Sequence, residues 1–167
     1  MSLSVRAATA SDVPLILEMI RELAEYERLL HEVEGTEELL HEGLFGAKPH
    51  AEALIGCVDD EPAGFALFFP SFSTFLTKPG IYLEDLYVRP QLRGRGLGKK
   101  LLLAVAGIAA ERGCGRYEWS VLDWNEPSIK FYEALGAVMH ADWRRMRVEG
   151  EALERMGAVC SAEGRPL

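Results

Sequence analysis

The residues best suited to chemistry form a glycine-rich turn, Arg93-Gly94-Arg95-Gly96-Leu97-Gly98, which joins an apolar strand to an amphipathic helix. Alternating glycines permit unusual backbone angles and let a ligand approach the backbone closely. The N-terminus of the following helix offers unpaired N–H groups and the positive end of a dipole. Lys99 and Lys100 add to the positive charge of the two arginines. The turn therefore suits a pyrophosphate group; the alternative is a tight turn beside solvated basic residues.

This turn does not match two familiar nucleotide-binding loops. The Walker pattern GxxxxGK[ST] is absent from the sequence. The dinucleotide pattern GxGxxG also fails at this turn, and the preceding strand is not the first of a Rossmann half. If the turn binds a pyrophosphate, that group therefore belongs to another class of ligand.

Two carboxylates and one phenol stand out elsewhere in the chain. Glu84 lies in the middle of an otherwise apolar strand, and Asp85 follows it on the opposite face of a regular strand. Tyr132 lies on a helix that follows Asn125. Structural alternatives are a charge at a strand edge or in a salt bridge for the carboxylates, a core or interface position for Tyr132, and helix capping for Asn125.

The pattern of apolar residues predicts the elements that must position these groups. We expect a mixed α/β fold in which a mostly antiparallel sheet carries helices on both faces. The expected strands are Leu3–Arg6, Ala51–Val58, Ala63–Phe69, Ile81–Val88, Tyr117–Leu122 and Trp143–Val148, with a loop over 70–80. The expected helices are Val13–Leu30, Glu37–Leu44, Gly98–Arg112, Pro127–Leu135 and Gly150–Met156. The connection from Ile81 to Leu122 predicts a right-handed crossover between parallel strands.

Size and composition predict one domain over residues 1–167, with a polar tail from about 158. The net charge of -8 argues against nucleic acid or an anionic membrane as partner and is weakly compatible with a cationic substrate. The three cysteines and four histidines show no ligand spacing, so we expect no metal site. No signal peptide or membrane-spanning run is recognised, and we expect a cytoplasmic protein.

Two segments resemble motifs of the GNAT family of N-acetyltransferases. Arg-x-x-Gly-x-Gly after a strand is similar to the family's coenzyme A pyrophosphate loop, and Asn125–Ala137 resembles its later motif, an Asn followed by a helix carrying Phe-Tyr and closing with Gly. The likeness extends from about Ser4 to Met156. Within the family, segments such as Tyr82–Asp85 and Leu122–Pro127 are most similar to the spermidine/spermine and thialysine N-acetyltransferases.

The resemblance implies an acetyl-CoA-dependent transfer to an amine by direct attack in a ternary complex, with no metal. It implies that Glu84 is the general base, through water, that Asp85 helps to bind the substrate, and that Tyr132 is the general acid. The residues that it assigns to the coenzyme are Leu86, Tyr87 and Val88 through their backbone, the turn Arg93, Gly94, Arg95, Gly96, Leu97, Gly98 and Lys99, and also Asn125 and Tyr132.

The resemblance assigns the amine to Tyr26, Glu27, Glu84, Asp85 and Trp143. Thr74 stands where the polyamine-acetylating members carry an aspartate, and this favours a small diamine or a lysine-like amino acid over spermine. The alternatives are a protein or peptide N-acetyltransferase and a non-catalytic acyl-CoA-binding domain. The resemblance also implies a homodimer.

Overall fold

The computed structural model describes residues 1–163, with side chains up to 159. Two compact units divide the chain, Met1–Ser120 and a second that begins at Val121. The single domain predicted from the sequence stays a prediction. The first unit contains β1 (Leu3–Ala7), α1 (Val13–Tyr26), α2 (Glu37–Phe45), β2 (Glu52–Val58), β3 (Glu61–Ser73), β4 (Lys78–Val88), α3 (Leu97–Glu111) and β5 (Arg116–Trp119). The second contains α4 (Glu126–Ala134) and α5 (Gly150–Glu163).

The five strands form one sheet in the order of the chain, β1-β2-β3-β4-β5, among the described residues. The first four strands pair antiparallel, and β4 pairs parallel with β5. This confirms the predicted mixed, mostly antiparallel sheet and the parallel pair joined through a helix. A parallel pair requires a long crossover, and α3 supplies it.

The sheet has helices on both faces. On one face, Ile16 and Met19 of α1 and Leu44 of α2 join a core with alternating residues of β2 and β3. On the other face lies α3, and its side chains Leu97 and Leu101 come within 3.0 Å of where a Cβ at Gly56 would stand. The missing side chain at Gly56 therefore lets α3 approach β2 closely.

An ion pair that was not predicted from the sequence stabilises the segment directly before α1. The two Nη atoms of Arg6 donate to the Asp12 carboxylate at 2.7 and 2.8 Å, and the Thr9 N–H donates to it at 2.7 Å. Arg6 is the main reason that the pKa of Asp12 lies well below its usual range. These bonds fix the first turns before α1, whose far end carries Tyr26.

The predicted helix Val13–Leu30 was too long. It ends at Tyr26, because Arg28 takes a left-handed backbone angle (φ 62°), and a short 3-10 turn, Leu30–Glu32, follows. The predicted loop over 70–80 was wrong in most of its length, since β3 continues to Ser73 and β4 begins at Lys78. The pattern of apolar residues does not reveal this extension, because the hairpin is exposed and carries polar residues.

Three further boundaries differ from prediction. The strand Tyr117–Leu122 is shorter than predicted and ends at Trp119. The strand Trp143–Val148 does not form among the described residues, since residues 143–149 have no regular structure; a strand needs the hydrogen bonds of a neighbour. The last helix extends past Met156 to Glu163, so the polar tail predicted from about 158 begins inside this helix. The last four residues of the predicted tail, 164–167, lie outside the described residues.

Candidate active site

A β-bulge in β4 lies at the two acidic residues of this strand, Glu84 and Asp85, and changes the face of the sheet on which Asp85 lies. Leu67 of β3 pairs with Asp85, and the next residue, Phe68, pairs with Leu83, so that Glu84 is an extra residue without a direct partner. Residues opposite each other in an antiparallel pair share a face. Leu83 therefore lies on the α3 face with Phe68, whereas Asp85 lies with Leu67 on the face of α1 and α2. In a regular strand Leu83 and Asp85 would share one face.

Three carboxylates act on each other around this bulge. Burial, together with the negative charges of Glu84 and Glu27, raises the pKa of Asp85 to about 7. Burial also raises the pKa of Glu27, which follows the last residue of α1. Glu84 itself is exposed. The group of Glu27, Glu84 and Asp85 can therefore attract a cation and take up a proton near neutral pH.

An aromatic pair lies on the same face of the sheet as Asp85. The rings of Phe69 and Tyr82 stack with their centroids 5.3 Å apart. The Tyr82 hydroxyl and the Ser120 hydroxyl are 2.7 Å apart, which links β4 to the residue that follows β5. This face therefore offers an apolar aromatic surface together with negative charge, and this combination suits a cationic group on a short carbon chain.

The edge of β4 that faces β5 opens beyond the bulge. Pairing with β5 runs from Gly80 to Leu83 and then stops at Trp119, while β4 continues to Val88. Among the described strands, the backbone of Glu84–Val88 has no partner on this side. Successive N–H groups of a strand point to opposite edges, and the Arg89 N–H donates to the carbonyl oxygen of Ala63 on the β3 side. The N–H groups of Leu86 and Val88 therefore point to the open edge and can serve as hydrogen-bond donors, whereas that of Tyr87 points to β3.

The glycine turn has the backbone that its composition predicts. Gly94 and Gly96 have φ angles of 74° and 90°, in the left-handed region that favours glycine. Gly96 is the residue that caps the N-terminus of α3, and the side chain of Leu97 is buried behind it. The turn therefore presents backbone N–H groups and the positive end of a 15-residue helix.

The basic residues of the turn differ in their environments. Lys99 and Arg95 are exposed. Lys100 donates to the carbonyl oxygen of Leu3 at 2.6 Å and so ties α3 to β1. Arg93 Nε donates to the carbonyl oxygen of Val88 at 2.8 Å, and its guanidinium lies 4.6 Å from the ring centroid of Tyr26.

A network of ion pairs and hydrogen bonds between α1 and the residues that precede the turn was not predicted from the sequence. Tyr87 donates its hydroxyl to Glu22 at 2.8 Å, and Arg89 pairs with Glu22 at 3.0 Å and with Glu18 at 2.7 Å. Burial and the bond to Glu22 raise the pKa of Tyr87 to about 12, so this phenol stays protonated. The only signal in the sequence is the i, i+4 spacing of Glu18 and Glu22 on one face of α1.

A cavity of about 500 Å³ adjoins this network. Its lining residues are Glu22, Glu25, Tyr26, Tyr87, Arg89, Pro90 and Gln91. Tyr26 is thus a wall of the cavity as well as a neighbour of Glu27. The side chain of Tyr26 is 39% exposed.

Asn125, Tyr132 and Trp143 belong to the unit that begins at Val121. The buried Asn125 side chain accepts from the Ser128 N–H at 3.4 Å and caps α4, which is the structural role considered for it above. Tyr132 is half-buried on α4, with its ring centroid 5.3 Å from that of Phe131. Trp143 is 78% exposed and lies outside any strand. The structure thus groups Tyr26, Glu27, Glu84, Asp85 and the glycine turn in the first unit.

Neither a metal site nor a membrane-spanning helix is found among the described residues. No group of three or more His, Cys, Asp or Glu side chains in this part of the chain is placed to hold a metal ion. Within the same residues, no helix is long and apolar enough to cross a membrane.

Comparison with known proteins places this geometry in a family. Residues 16–137 match the model of the acetyltransferase (GNAT) family. The chain is 39% identical to the thialysine N-epsilon-acetyltransferase of Sus scrofa, over 93% of this chain and 97% of the relative. It is 34% identical to the L-ornithine N5-acetyltransferase of Arabidopsis thaliana, over 90% and 86%.

A solved structure supports the fold. An integron cassette protein from V. cholerae superposes with a TM-score of 0.77 at 24% identity, covering 94% of this chain and 98% of the other. The family match over most of the chain, and relatives at 34–39% identity along nearly their whole length, confirm what the two sequence motifs indicated. The chain belongs to the GNAT family and is an acetyltransferase.

Proposed function

We propose that this acetyltransferase transfers the acetyl group of acetyl-CoA to the primary amine of a small diamine or lysine-like amino acid. The observation that carries the proposal is the group of Glu27, Glu84 and Asp85 at the bulge of β4, directly before the open edge of the same strand. A cation-binding group and a row of free backbone donors on one strand suit an amine attacking an acyl group. The names of the relatives from Sus scrofa and Arabidopsis thaliana point to the same class of acceptor.

The carboxylates would bind the amine and free it for attack. A primary ammonium has a pKa of about 10.4, so the neutral amine costs about 4–5 kcal/mol near pH 7. Asp85 would hold the ammonium group, and Glu84 would accept its proton through a water molecule. The stacked Phe69 and Tyr82 on the same face would pack against the carbon chain of the acceptor.

The glycine turn and the open strand would hold the coenzyme. Residues 94–98 and the N-terminus of α3 suit its pyrophosphate, and Lys99 and Arg95 would add positive charge. When bound, acetyl-CoA supplies the thioester carbon that the amine attacks. Backbone N–H groups of Leu86 and Val88 on the open edge would stabilise the oxyanion, and one such donor contributes about 3 kcal/mol to transition-state stabilisation.

Tyr132 is the proposed general acid that protonates the leaving thiolate. A phenol with a pKa of about 10 suits a thiolate whose ordinary pKa is about 8.5. We propose the chemistry as a direct transfer, in which Asn125 and Tyr132 serve coenzyme binding and Trp143 serves amine binding. The acceptor is small, because Thr74 replaces a carboxylate that would bind a second or third ammonium of a long polyamine.

The test is release of coenzyme A thiol from acetyl-CoA with ornithine as acceptor, in wild type and in Tyr132→Phe. We expect turnover in wild type and a fall in kcat of about 10²-fold or more in the variant, since loss of general acid catalysis has that size. Tyr117→Phe is the matched control. It removes a hydroxyl that donates to the Leu102 carbonyl oxygen at 3.4 Å, and its kcat should equal that of wild type.

Three results would count against this proposal. Equal kcat in Tyr132→Phe and wild type would remove Tyr132 as the acid. Coenzyme binding without turnover on ornithine or any other small amine would favour a non-catalytic acyl-CoA-binding domain, and turnover on a lysine-bearing peptide alone would favour a protein N-acetyltransferase.

A further inference from the structure

Arg93 is the first residue of the glycine turn, and three contacts engage its side chain. Nε donates to the carbonyl oxygen of Val88 at 2.8 Å. The guanidinium carbon lies 4.6 Å from the ring centroid of Tyr26 and 5.6 Å from that of Tyr87. Both distances are within the range of cation–π attraction.

These three partners belong to two segments that flank the turn. Val88 and Tyr87 end β4, whose open edge precedes the turn. Tyr26 is the last residue of α1, and Glu27 follows it. Glu27 is one of the charges that raise the pKa of Asp85. A single guanidinium therefore connects the coenzyme turn to the helix end beside the acceptor carboxylates.

Tyr87 adds a second link between the end of β4 and α1. It is buried, and its hydroxyl donates to Glu22 of α1, which also pairs with Arg89. One of the two rings beside Arg93 is thus itself anchored to α1. A lysine in place of Arg93 would keep the positive charge but would lose both the Nε donor and the planar group that lies over the rings.

We propose that Arg93 is a positioning residue that couples the acceptor end of α1 to the coenzyme turn, rather than a residue that acts through its charge on the phosphates. The proposal rests on the proposed function, since it concerns the same coenzyme site. The coupling predicts that a change at Tyr26 alters the affinity for the coenzyme, although Tyr26 is assigned to the amine.

The first experiment measures the dissociation constant of coenzyme A by titration calorimetry for wild type, Arg93→Lys and Arg93→Gln. Positioning requires the guanidinium, and Arg93 and Tyr26 are both exposed. We therefore expect both variants to bind about two- to fivefold more weakly, which is the size of a cation–π contact at an exposed site. A role of charge alone predicts that Arg93→Lys binds as wild type does, and this result would overturn the proposal. Arg112→Lys, which alters the ion pair with Glu52, should bind like wild type.

The second experiment is a double-mutant cycle between Arg93→Lys and Tyr26→Leu, read out as coenzyme A affinity. If the two side chains act together, Tyr26→Leu alone weakens binding and the double variant is about as weak as either single one. Tyr26→Phe, which keeps the ring, should restore the affinity. Multiplicative losses in the double variant, or wild-type affinity in Tyr26→Leu, would overturn the coupling.

The binding stoichiometry separates these effects from unfolding, because a misfolded fraction lowers the stoichiometry whereas a misplaced turn lowers the affinity. The same data separate the two proposals. Wild type that binds no coenzyme A would contradict the proposed function and the coupling together. Wild type that binds and turns over normally, with additive variants, would contradict the coupling alone.

Discussion

At the scale of single residues, the bulge at Glu84 determines what Asp85 can do. The extra residue places Asp85, which is half-buried, on the face of the sheet toward α1. The charges of Glu84 and Glu27 there contribute to its raised pKa. With a pKa of about 7, Asp85 populates both its neutral and its ionised form at neutral pH. A carboxylate that holds an ammonium group must be ionised, so this pKa should appear in the kinetics.

We expect kcat/KM for a small amine to rise with pH and to level off above about pH 7, following the ionisation of Asp85. In Glu84→Gln the neighbouring negative charge is gone, which lowers the pKa of Asp85, so the curve should level off at a lower pH. The activity at the plateau should also fall, because the proposed base is lost. The measurement is kcat/KM between pH 5 and 9 in both proteins. Curves that bend at the same pH would contradict this account.

The same residue predicts a pH dependence of stability. The folded-state pKa of Asp85 lies above the ordinary value, so the folded protein holds a proton that the unfolded chain releases between about pH 4 and 7. The contribution of Asp85 to stability is therefore present at low pH and is lost as pH rises through about 7. Asp85→Asn should raise the free energy of unfolding relative to wild type more at pH 8 than at pH 5, as urea denaturation can measure. An equal difference at both values would contradict the assigned pKa.

The sequence predicted the residue types of the site better than their surroundings. Glu84 and Asp85 were recognisable because charges interrupt an apolar strand. The bulge between them was not, since a register shift depends on how β3 pairs with β4. The contacts of Arg93 with Tyr26 and Val88 were equally hidden, because they join residues far apart in the chain, and the charge of Arg93 alone suggested a phosphate ligand.

At the scale of elements, the pairing of β3 with β4 holds the strand that leads into the glycine turn. Gly64 of β3 pairs with Val88, the last residue of β4. A Cβ at Gly64 would collide with the carbonyl oxygen of Tyr87, which is backbone and has little freedom to move. The absence of a side chain at Gly64 is therefore needed for the position of the end of β4.

We expect Gly64→Ala to lower the free energy of unfolding by about 1–3 kcal/mol, as overpacking does. It should also weaken coenzyme A binding, because the end of β4 must move. Gly107→Ala is the control: it lies on the exposed side of α3 with no atom within 4 Å of the new Cβ, and it should stabilise the protein by up to about 1 kcal/mol. Urea denaturation tests both, and a neutral Gly64→Ala would contradict this role of Gly64.

Element types were more predictable than element ends. The apolar periodicities of α1, β2 and α3 identified those elements correctly. The short extent of β5 and the absence of a strand over 143–148 were not predictable from local pattern, since both depend on whether a neighbouring strand supplies hydrogen bonds. The early end of β5 is nevertheless what leaves the edge of β4 open.

At the scale of the whole molecule, several large apolar side chains are exposed. Met146 is 92% exposed and Trp143 is 78% exposed in the second unit, and Phe75 at the β3–β4 turn is 96% exposed. Neighbouring exposed apolar groups mark interaction surfaces, and Trp143 and Met146 lie three residues apart in one segment. We propose that Trp143 and Met146 belong to the contact of a homodimer, as the family resemblance implies.

Light scattering after size-exclusion chromatography should therefore give the mass of two chains for wild type. Met146→Glu should shift the mass toward one chain, because a charge would be buried at the contact. Leu103→Glu places the same charge on an exposed position of α3 and should leave the mass unchanged. A monomeric wild type, or a Met146→Glu variant as dimeric as wild type, would contradict this assignment.

The central claim is that the carboxylates on β4 select a small amine for acetyl transfer. The most direct measurement is kcat/KM with acetyl-CoA for thialysine, ornithine, lysine, putrescine, spermidine, spermine and a lysine-bearing peptide under one set of conditions. The account predicts that a small diamine or a lysine-like amino acid has the highest value, about tenfold or more above spermine, the effect expected from one missing charge contact. The highest value for spermine or for the peptide, or no turnover with any of these amines, would contradict it.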